Sequence, residues 1–357
     1  MNLTVQLQVV PEHPEEILEM MSHFNSSCNW LSSIAFNERI WYWMSLQKRA
    51  YRELRQQYGI TANQALVSIR KVAATYKTKD KRGTQSTFKP LSSMPLFKHV
   101  YYDDSTVMFY GQRMPYIVKE GTKLPRHPKE GYLSYDNGKF YIYQVIRVDC
   151  PEVYKINGYL GCDLGIKNIL ADSQGQMYSS AELNGLRKRQ VKLRCKLERI
   201  GTRSAKHLLQ LRRNKEGRFA RDLNHCISKK IVAKAKRQHL GIALEDLKCI
   251  REHTNVHKAH RRQYTSWAFN QLRLFIEYKA QMNGVPVVFV DPHYTSQTCP
   301  QCGTIDKQNR KSQMWFECIS CGFGGLADII AAGNIARRAA GNQPYAPLTG
   351  CANPVMG

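Results

Sequence analysis

Three acids and four cysteines are the residues whose types and spacing suit metal chemistry. Asp163 lies in Leu-Gly-Cys-Asp-Leu-Gly-Ile-Lys-Asn (160–168), Glu245 in Ile-Ala-Leu-Glu-Asp-Leu (242–247), and Asp328 in Ala-Asp-Ile-Ile-Ala-Ala-Gly-Asn-Ile (327–335). The first two runs read as strands and the third as the first turn of a helix. Acids brought together from separate elements can hold two divalent cations about 3.5–4 Å apart, the arrangement that cleaves phosphodiesters. Mg²⁺ takes such oxygen ligands while keeping several waters. Taken singly, each acid also reads as a turn former or cap, and Asp328 as a favourable charge at a helix N-terminus. Asp246 competes with Glu245, but strand alternation turns two neighbours to opposite faces, so one of them can face a site.

The cysteines are more specific. Cys299-Pro300-Gln301-Cys302 and Cys318-Ile319-Ser320-Cys321 make the pattern C-x₂-C-x₁₅-C-x₂-C. Two such pairs suit a tetrahedral Cys₄ zinc site, with a redox dithiol as the weaker alternative. Four protein ligands close the coordination sphere, so the zinc is expected to be structural. Lys307, Arg310, Lys311, Trp315 and Phe316 surround the pattern and fit a nucleic-acid contact; Trp315 and Phe316 equally fit packing of the knuckle itself.

The elements that must position these groups follow from apolar periodicity. Residues 3–10 alternate as a strand, 13–57 and 61–77 read as helices, and 78–90 as a polar basic loop. Residues 140–148 are rich in β-formers after the turn signal Asp136-Asn137-Gly138. A small antiparallel barrel is expected there, completed by the first strand, with the helices inserted. Strands are expected at 157–164, 168–180, 241–247 and 285–291, and helices near 264–283 and 327–340; the Pro- and Gly-bearing tail 342–357 reads as disordered.

Of 357 residues, 53 are Lys or Arg and 28 are Asp or Glu, a net charge of +25. Residues 181–240 carry 19 of the basic residues against 4 acids, so most of the excess sits on one predicted helical stretch. A one-sign face of that size suits a phosphate backbone better than a solvated surface of mixed sign. No apolar run reaches the roughly 18 residues a membrane span needs, and no secretory signal is present. The remaining cysteines, Cys28, Cys150, Cys162, Cys195, Cys226, Cys249 and Cys351, read as free thiols, mostly buried, in a reducing cytosol.

Four segments carry a family resemblance: Gly-Cys-Asp-Leu-Gly-Ile-Lys around Asp163, Asp-Leu-Asn-His-Cys-Ile-Ser-Lys-Lys-Ile-Val with His225 and Ser228, Leu-Glu-Asp-Leu around Glu245, and Asp-Pro-His-Tyr-Thr-Ser-Gln-Thr-Cys-Pro-Gln-Cys-Gly at 291–303. Together they resemble the transposon-encoded TnpB (OrfB) proteins, which are similar to compact type V CRISPR effectors. The resemblance covers about 156–340; the N-terminal half matches in layout alone. It implies an α/β multidomain protein. A wedge-type β-barrel (1–12 and 78–155) would carry an inserted helical recognition domain (13–77). An RNase H-like RuvC nuclease domain (156–292 and 325–341) would carry a Cys₄ zinc ribbon (293–324) that binds target nucleic acid. It further implies an RNA-guided DNA endonuclease that cuts double-stranded DNA beside a short adjacent motif, in the cytoplasm at the nucleoid. Asp163, Glu245 and Asp328 would hold two Mg²⁺, or Mn²⁺ in their place. Cys299, Cys302, Cys318 and Cys321 would hold Zn²⁺.

Guide and target contacts are expected from Ser68, Arg70, Lys71 and Tyr76 toward the adjacent motif. Arg187, Lys188, Arg189, Arg218, Arg221, His225, Ser228 and Gln297 are expected to contact backbone or base; for His225 and Ser228 a buried polar pair is the alternative. One departure stands out. The family often carries Asp-Arg-Asp before its last helix, followed by Asn-Ala-Ala, where this chain has Leu326-Ala327-Asp328 and Ile330-Ala331-Ala332. The metal-binding acid is kept while the flanking Arg and Asn are not, which bears on leaving-group stabilisation. Rival readings are a guided DNA binder or repressor with little cleavage, and a transposase or transposase accessory protein. The first is expected to lack a carboxylate and the second to carry a helix-turn-helix, and neither sign is found.

Overall fold

The computed structural model describes residues 1–77, 83–96, 100–118, 124–126, 128, 130–212, 215–246 and 269–341. The expected tail at 342–357, Cys249 and Cys351 lie outside them. The chain divides into two compact units, Met1–Val148 and Asp149–Gly357.

The first unit is a seven-stranded antiparallel sheet with three helices. Its strands are β1 (Asn2–Val9), β2 (Met94–Leu96), β3 (Val100–Tyr102), β4 (Thr106–Phe109), β5 (Gln112–Ile117), β6 (Gly131–Asp136) and β7 (Lys139–Arg147), in the order β2-β6-β7-β1-β5-β4-β3. The first strand pairs along its whole length with β7, from Asn2 opposite Arg147 to Val9 opposite Phe140. Asn137 and Gly138 join β6 to β7 with φ of 50° and 81°, the two left-handed residues of a type I′ hairpin turn. The edge strands β2 and β3 are consecutive in sequence, so their near ends lie within about 14 Å of chain reach. The sheet therefore curls back towards itself. Helices α1 (Pro14–Asn37), α2 (Trp43–Tyr58) and α3 (Ala62–Thr75) start and stop where the chain says they must. Pro14 opens α1, Gly59 ends α2 in the left-handed region at φ 58°, and Thr61 with Gln64 forms a capping box on α3. Sheet and helices share one core, from Leu7 and Val9 through Phe24 and Ile69 to Phe109 and Ile142, so the helical segment buries no separate core of its own.

The second unit is built on a five-stranded sheet: β8 (Tyr159–Asp163), β9 (Asn168–Asp172), β10 (Met177–Ser179), β11 (Gly241–Glu245) and β12 (Val287–Val290). The order is β10-β9-β8-β11-β12, with β9 antiparallel to both neighbours and β8, β11 and β12 parallel. Asp172 shapes the β9–β10 hairpin by accepting the Gln174 and Gln176 backbone N–H groups at 3.0 Å each, and it is neutralised by Lys234 Nζ at 2.5 Å. Helices α4 (Ala181–Ile200), α5 (Arg203–Leu211), α6 (Lys215–Arg237), α7 (Phe269–Met282) and α8 (Ala327–Gly341) complete the unit, with a two-stranded ribbon of β13 (Trp315–Glu317) and β14 (Gly324–Leu326). Helix α8 lies directly on β8. A Cβ at Gly161 would stand 2.0 Å from the Ala332 carbonyl oxygen and 2.7 Å from the Ala336 nitrogen, so only glycine permits this approach.

No helix among the described residues is long and apolar enough to cross a membrane. Among the described cysteines outside the knuckle none forms a disulfide, but the expectation that most are buried is corrected: Cys28 and Cys162 are buried and Cys150 is half-buried, while Cys195 and Cys226 are exposed.

Candidate active site and metal centres

The parallel pairing of β8 and β11 brings two of the three acids together. Leu244 stands opposite Cys162, and one step further on Glu245 stands beside Asp163, on strands about 4.8 Å apart. The close seat of α8 on Gly161 brings the third, Asp328, from the first turn of that helix. Asp328 accepts a hydrogen bond from Asn168 Nδ2 at 2.8 Å and faces Arg310 Nη2 at 3.4 Å. Glu245 accepts one from Thr295 Oγ1 at 2.5 Å. Asp246 turns the other way and pairs with Arg273 at 3.0 Å, whose guanidinium also covers the Phe289 ring.

Their electrostatics show the crowding. The Asp163 carboxyl is pushed up to about 8, by burial first, then by the negative charges of Glu245 and Asp328; Arg310 opposes the shift. Burial also raises Glu245, against the Thr295 hydrogen bond and the Arg338 charge. Carboxylates that resist sharing their negative charge this strongly are a donor set suited to a hard divalent cation. They are less tightly gathered than the sulfurs. Among the described residues the cysteine quartet is the one group drawn closely enough for a single ion. A wider spread is compatible with two ions about 4 Å apart.

The four sulfurs lie within 4.8 Å of one another, with Cys299 to Cys321 at 3.6 Å and Cys302 to Cys318 at 3.5 Å. Tetrahedral zinc with 2.3 Å bonds would set its sulfurs about 3.8 Å apart, so the quartet fits that ion. Asn309 braces the knuckle, donating to the Gln297 and Thr304 carbonyls and accepting from Ile319 N. Phe316 is wholly buried beneath the ribbon and Trp315 is about half exposed, so the two aromatics divide between the packing and contact readings.

The remaining sequence candidates separate by burial. Ser68 and Tyr76 are wholly buried: Ser68 donates to the Ala65 carbonyl, and the Tyr76 hydroxyl meets Ser32 Oγ at 2.7 Å and the Ser86 N–H at 2.9 Å. Lys71 is half-buried against Phe24 and Phe88 and donates to Asn25 Oδ1 and the Ser93 carbonyl. Arg187 is buried and paired with Glu216 across α4 and α6 at 2.9 Å. Ser228 is wholly buried and accepts from Lys279 Nζ at 2.7 Å, while His225 stacks on Phe275 at 3.9 Å, so this motif fastens α6 to α7. Ser68, Lys71, Tyr76, Arg187, His225 and Ser228 thus have polar atoms engaged within the protein, with Lys71 and His225 half-buried and the other four buried. Arg70, Lys188, Arg189, Arg218 and Arg221 are exposed, and Gln297 is half-buried.

Arg310, Asn168, Thr295 and Asn334 are the polar groups that sequence reasoning did not assign to the site. Arg310 was legible only as one basic residue beside the knuckle. The segment between the two cysteine pairs carries its guanidinium to within 3.4 Å of Asp328. Asn168, Thr295 and Asn334 all fall inside segments the sequence marks out, but nothing in their spacing says which acid or loop each would hold.

Residues 269–335 match the family model of the Cas12f1-like TNB domain. The chain is 40% identical over 125 residues to the CRISPR-associated endodeoxyribonuclease Cas12f1 of Sulfoacidibacillus thermotolerans, covering 35% of this chain and 28% of that protein. It is 35% identical over 134 residues to a TnpB-like protein of Methanocaldococcus jannaschii, covering 37% and 48%. It is 26% identical over 298 residues to the putative RNA-guided DNA endonuclease InsQ of Escherichia coli, covering 71% and 70%. The chain thus spans less than half the length of the first two relatives. Relatives and family model agree with the motifs of the second unit, and the chain belongs to the TnpB family with its compact type V relatives.

Proposed function

We propose that the chain is an RNA-guided, Mg²⁺-dependent DNA endonuclease that cuts double-stranded DNA matched to its guide beside a short adjacent motif. The observation that carries this is the convergence of Asp163, Glu245 and Asp328 from two adjacent strand ends and a helix start, where burial and then the charges of the other two acids push Asp163 up to about 8. The names of two relatives, an endodeoxyribonuclease and a putative RNA-guided DNA endonuclease, support the activity class. The strand order of the second unit supports an RNase H-like RuvC assignment, with the cysteine quartet as a structural zinc ribbon. The curled sheet and three helices of the first unit are assigned as wedge and recognition segments.

Bound divalent ions supply the activation of water and the neutralisation of the leaving oxygen. The chain's own groups supply the rest. The three carboxylates present oxygens from fixed elements. Arg310 offers a planar guanidinium beside them that suits a phosphate oxygen. The exposed Lys188, Arg189, Arg218 and Arg221 offer charges to a phosphate backbone, with base pairing to the guide reading sequence. Arg70 is the exposed group left on α3 for the adjacent motif.

The test is Asp163→Ala in the complex purified with its co-expressed guide RNA. Cleavage of a matched duplex in Mg²⁺ falls by about a thousandfold or more, beyond what loss of one electrostatic donor costs, while binding of that duplex persists. Undiminished cutting would falsify the site. A parent complex that binds matched DNA and never cuts it would leave a guided binder.

A further inference from the structure

We propose that Thr295 is the positioning residue of Glu245, and that Asn334 makes its grip depend on the same helix that carries Asp328. The inference rests on the reading of Glu245 as a metal ligand. The Thr295 side chain is almost wholly buried, at 3% exposure, although it stands in a loop between β12 and the first zinc cysteine. Its hydroxyl donates to Glu245 Oε1 at 2.5 Å. The Pro292 carbonyl, 3.1 Å from the same oxygen, is the competing acceptor. A hydroxyl has one proton, and the shorter contact to a carboxylate takes it.

The loop is held in turn. Asn334 is 8% exposed, and its Nδ2 donates to the Thr295 and Thr298 carbonyls at 2.8 Å each, using both amide protons. Asn334 lies on α8, six residues after Asp328 and on the helix pressed against Gly161. A continuous polar path therefore runs from Glu245 through Thr295 to Asn334 and α8, and Asp328 sits at the start of that helix. A second path fixes the other end, since Asn168 at the start of β9 donates to Asp328 at 2.8 Å. Two acids from different parts of the chain are thus oriented through one helix. The loop that connects them is also the root of the knuckle: Cys299 follows Thr298 directly, and Cys299 N donates to the Thr304 carbonyl at 2.9 Å. Displacing the ribbon pulls on the hydroxyl that aims Glu245.

Such a group is needed because a carboxylate ligand must keep one oxygen aimed at its ion. A donor on one oxygen stabilises the charged carboxylate and leaves the other oxygen for an ion. Partners of this kind typically change metal affinity or activity by about 10–100-fold when removed.

The experiment compares Thr295→Val, which keeps the shape and loses the hydroxyl, with Thr295→Ser, which keeps the hydroxyl. The protein is the full chain with its guide RNA and a matched, phosphorothioate-blocked duplex. Two quantities are read: Mn²⁺ affinity by electron paramagnetic resonance, and the Mg²⁺ concentration at half-maximal cleavage of an unmodified duplex. Thr295→Val weakens both by about tenfold or more, and Thr295→Ser stays within about threefold of the parent. A purely structural role would lower the active fraction and leave both midpoints in place, which overturns the proposal. Should Thr295→Val fail to fold, Asn334→Ala carries the same expected shift at smaller size, and unchanged midpoints there overturn the path. Glu245→Ala is the control that separates the two readings. If it cuts as the parent does, the metal-site reading fails; if it is inactive while Thr295→Val keeps parental midpoints, only the positioning role fails.

Discussion

The second unit holds two candidate metal sites that are built in opposite ways. The cysteine quartet comes from two short turns within 23 residues, and its sulfurs already stand at spacings that fit one tetrahedral ion. The carboxylates come from positions 163, 245 and 328, meet only because β8, β11 and α8 pack together, and repel one another where they meet. A local site costs little chain entropy to assemble and carries its signature in spacing. A distributed site needs the whole sheet in register first, and its signature is spread over segments that individually look like ordinary strand ends.

The knuckle is the easier of the two to break completely. Its core is Cys299, Phe316, Cys318, Ala327 and Ile330, too small to hold a ribbon alone. In zinc-finger peptides the metal contributes about 10–16 kcal/mol of apparent binding energy. Cys318→Ser is therefore expected to take zinc per chain from one towards none and to expose 299–326 to hydrogen exchange. Because Arg310 and the Thr295 loop lean on the ribbon, cleavage is lost with it. Retained zinc would show that three sulfurs suffice.

The distributed site is broken next most severely at its packing, away from any acid. Gly161→Ala places a methyl group against the Ala332 carbonyl and forces α8 off β8. The expected loss is about 3 kcal/mol, the upper part of the overpacking range, read as a lower midpoint in chemical denaturation. Parental stability with parental cleavage would mean that the helix can shift without moving Asp328.

Arg310→Ala joins the two sites. It removes the guanidinium that the ribbon lends to Asp328 at 3.4 Å and that opposes the upward shift of Asp163. A drop of about 10–100-fold in cleavage with zinc content unchanged is expected; an equal rate would confine Arg310 to the ribbon.

These residues also mark how far the sequence could be read. The C-x₂-C pairs and the apolar runs around the three acids were legible because ligand spacing and strand periodicity are local properties. The hairpin at Asn137-Gly138 was legible for the same reason. The burial of Ser68 and Tyr76 was not. A Ser and a Tyr on a basic helix read as contacts, and only the third dimension shows Tyr76 bonded to Ser32, 44 residues away. The basic stretch 181–240 was legible as charge, yet which Arg is spent on Glu216 and which faces solvent depends on the α4–α6 crossing. Gly161 lay in a quoted motif, but its reason is a helix 171 residues further on.

The smallest effect is the sharpest contrast between the sites. In the metal-free chain, Asp163 contributes charge where Glu245 and Asp328 already contribute theirs. Its folded carboxyl at about 8 lies above the ordinary carboxylate range near 4. The folded state therefore holds a proton that the unfolded state has released between those two values, and stability from this group falls as pH rises through that window. Asp163→Asn removes the group, so the metal-free variant should be the more stable protein at pH 8, by at least about 1 kcal/mol, roughly what one pKa unit is worth. The difference should shrink as pH falls towards 5. Adding Mg²⁺ should stabilise the parent and leave the variant nearly unmoved, because only the parent keeps the full set of oxygens. The measurement is thermal unfolding of both chains with and without Mg²⁺ at the two pH values. A variant less stable than its parent at pH 8 without metal would mean that hydrogen bonding outweighs repulsion at Asp163. The carboxylates would then be preassembled like the sulfurs, and the contrast between the two sites would be lost.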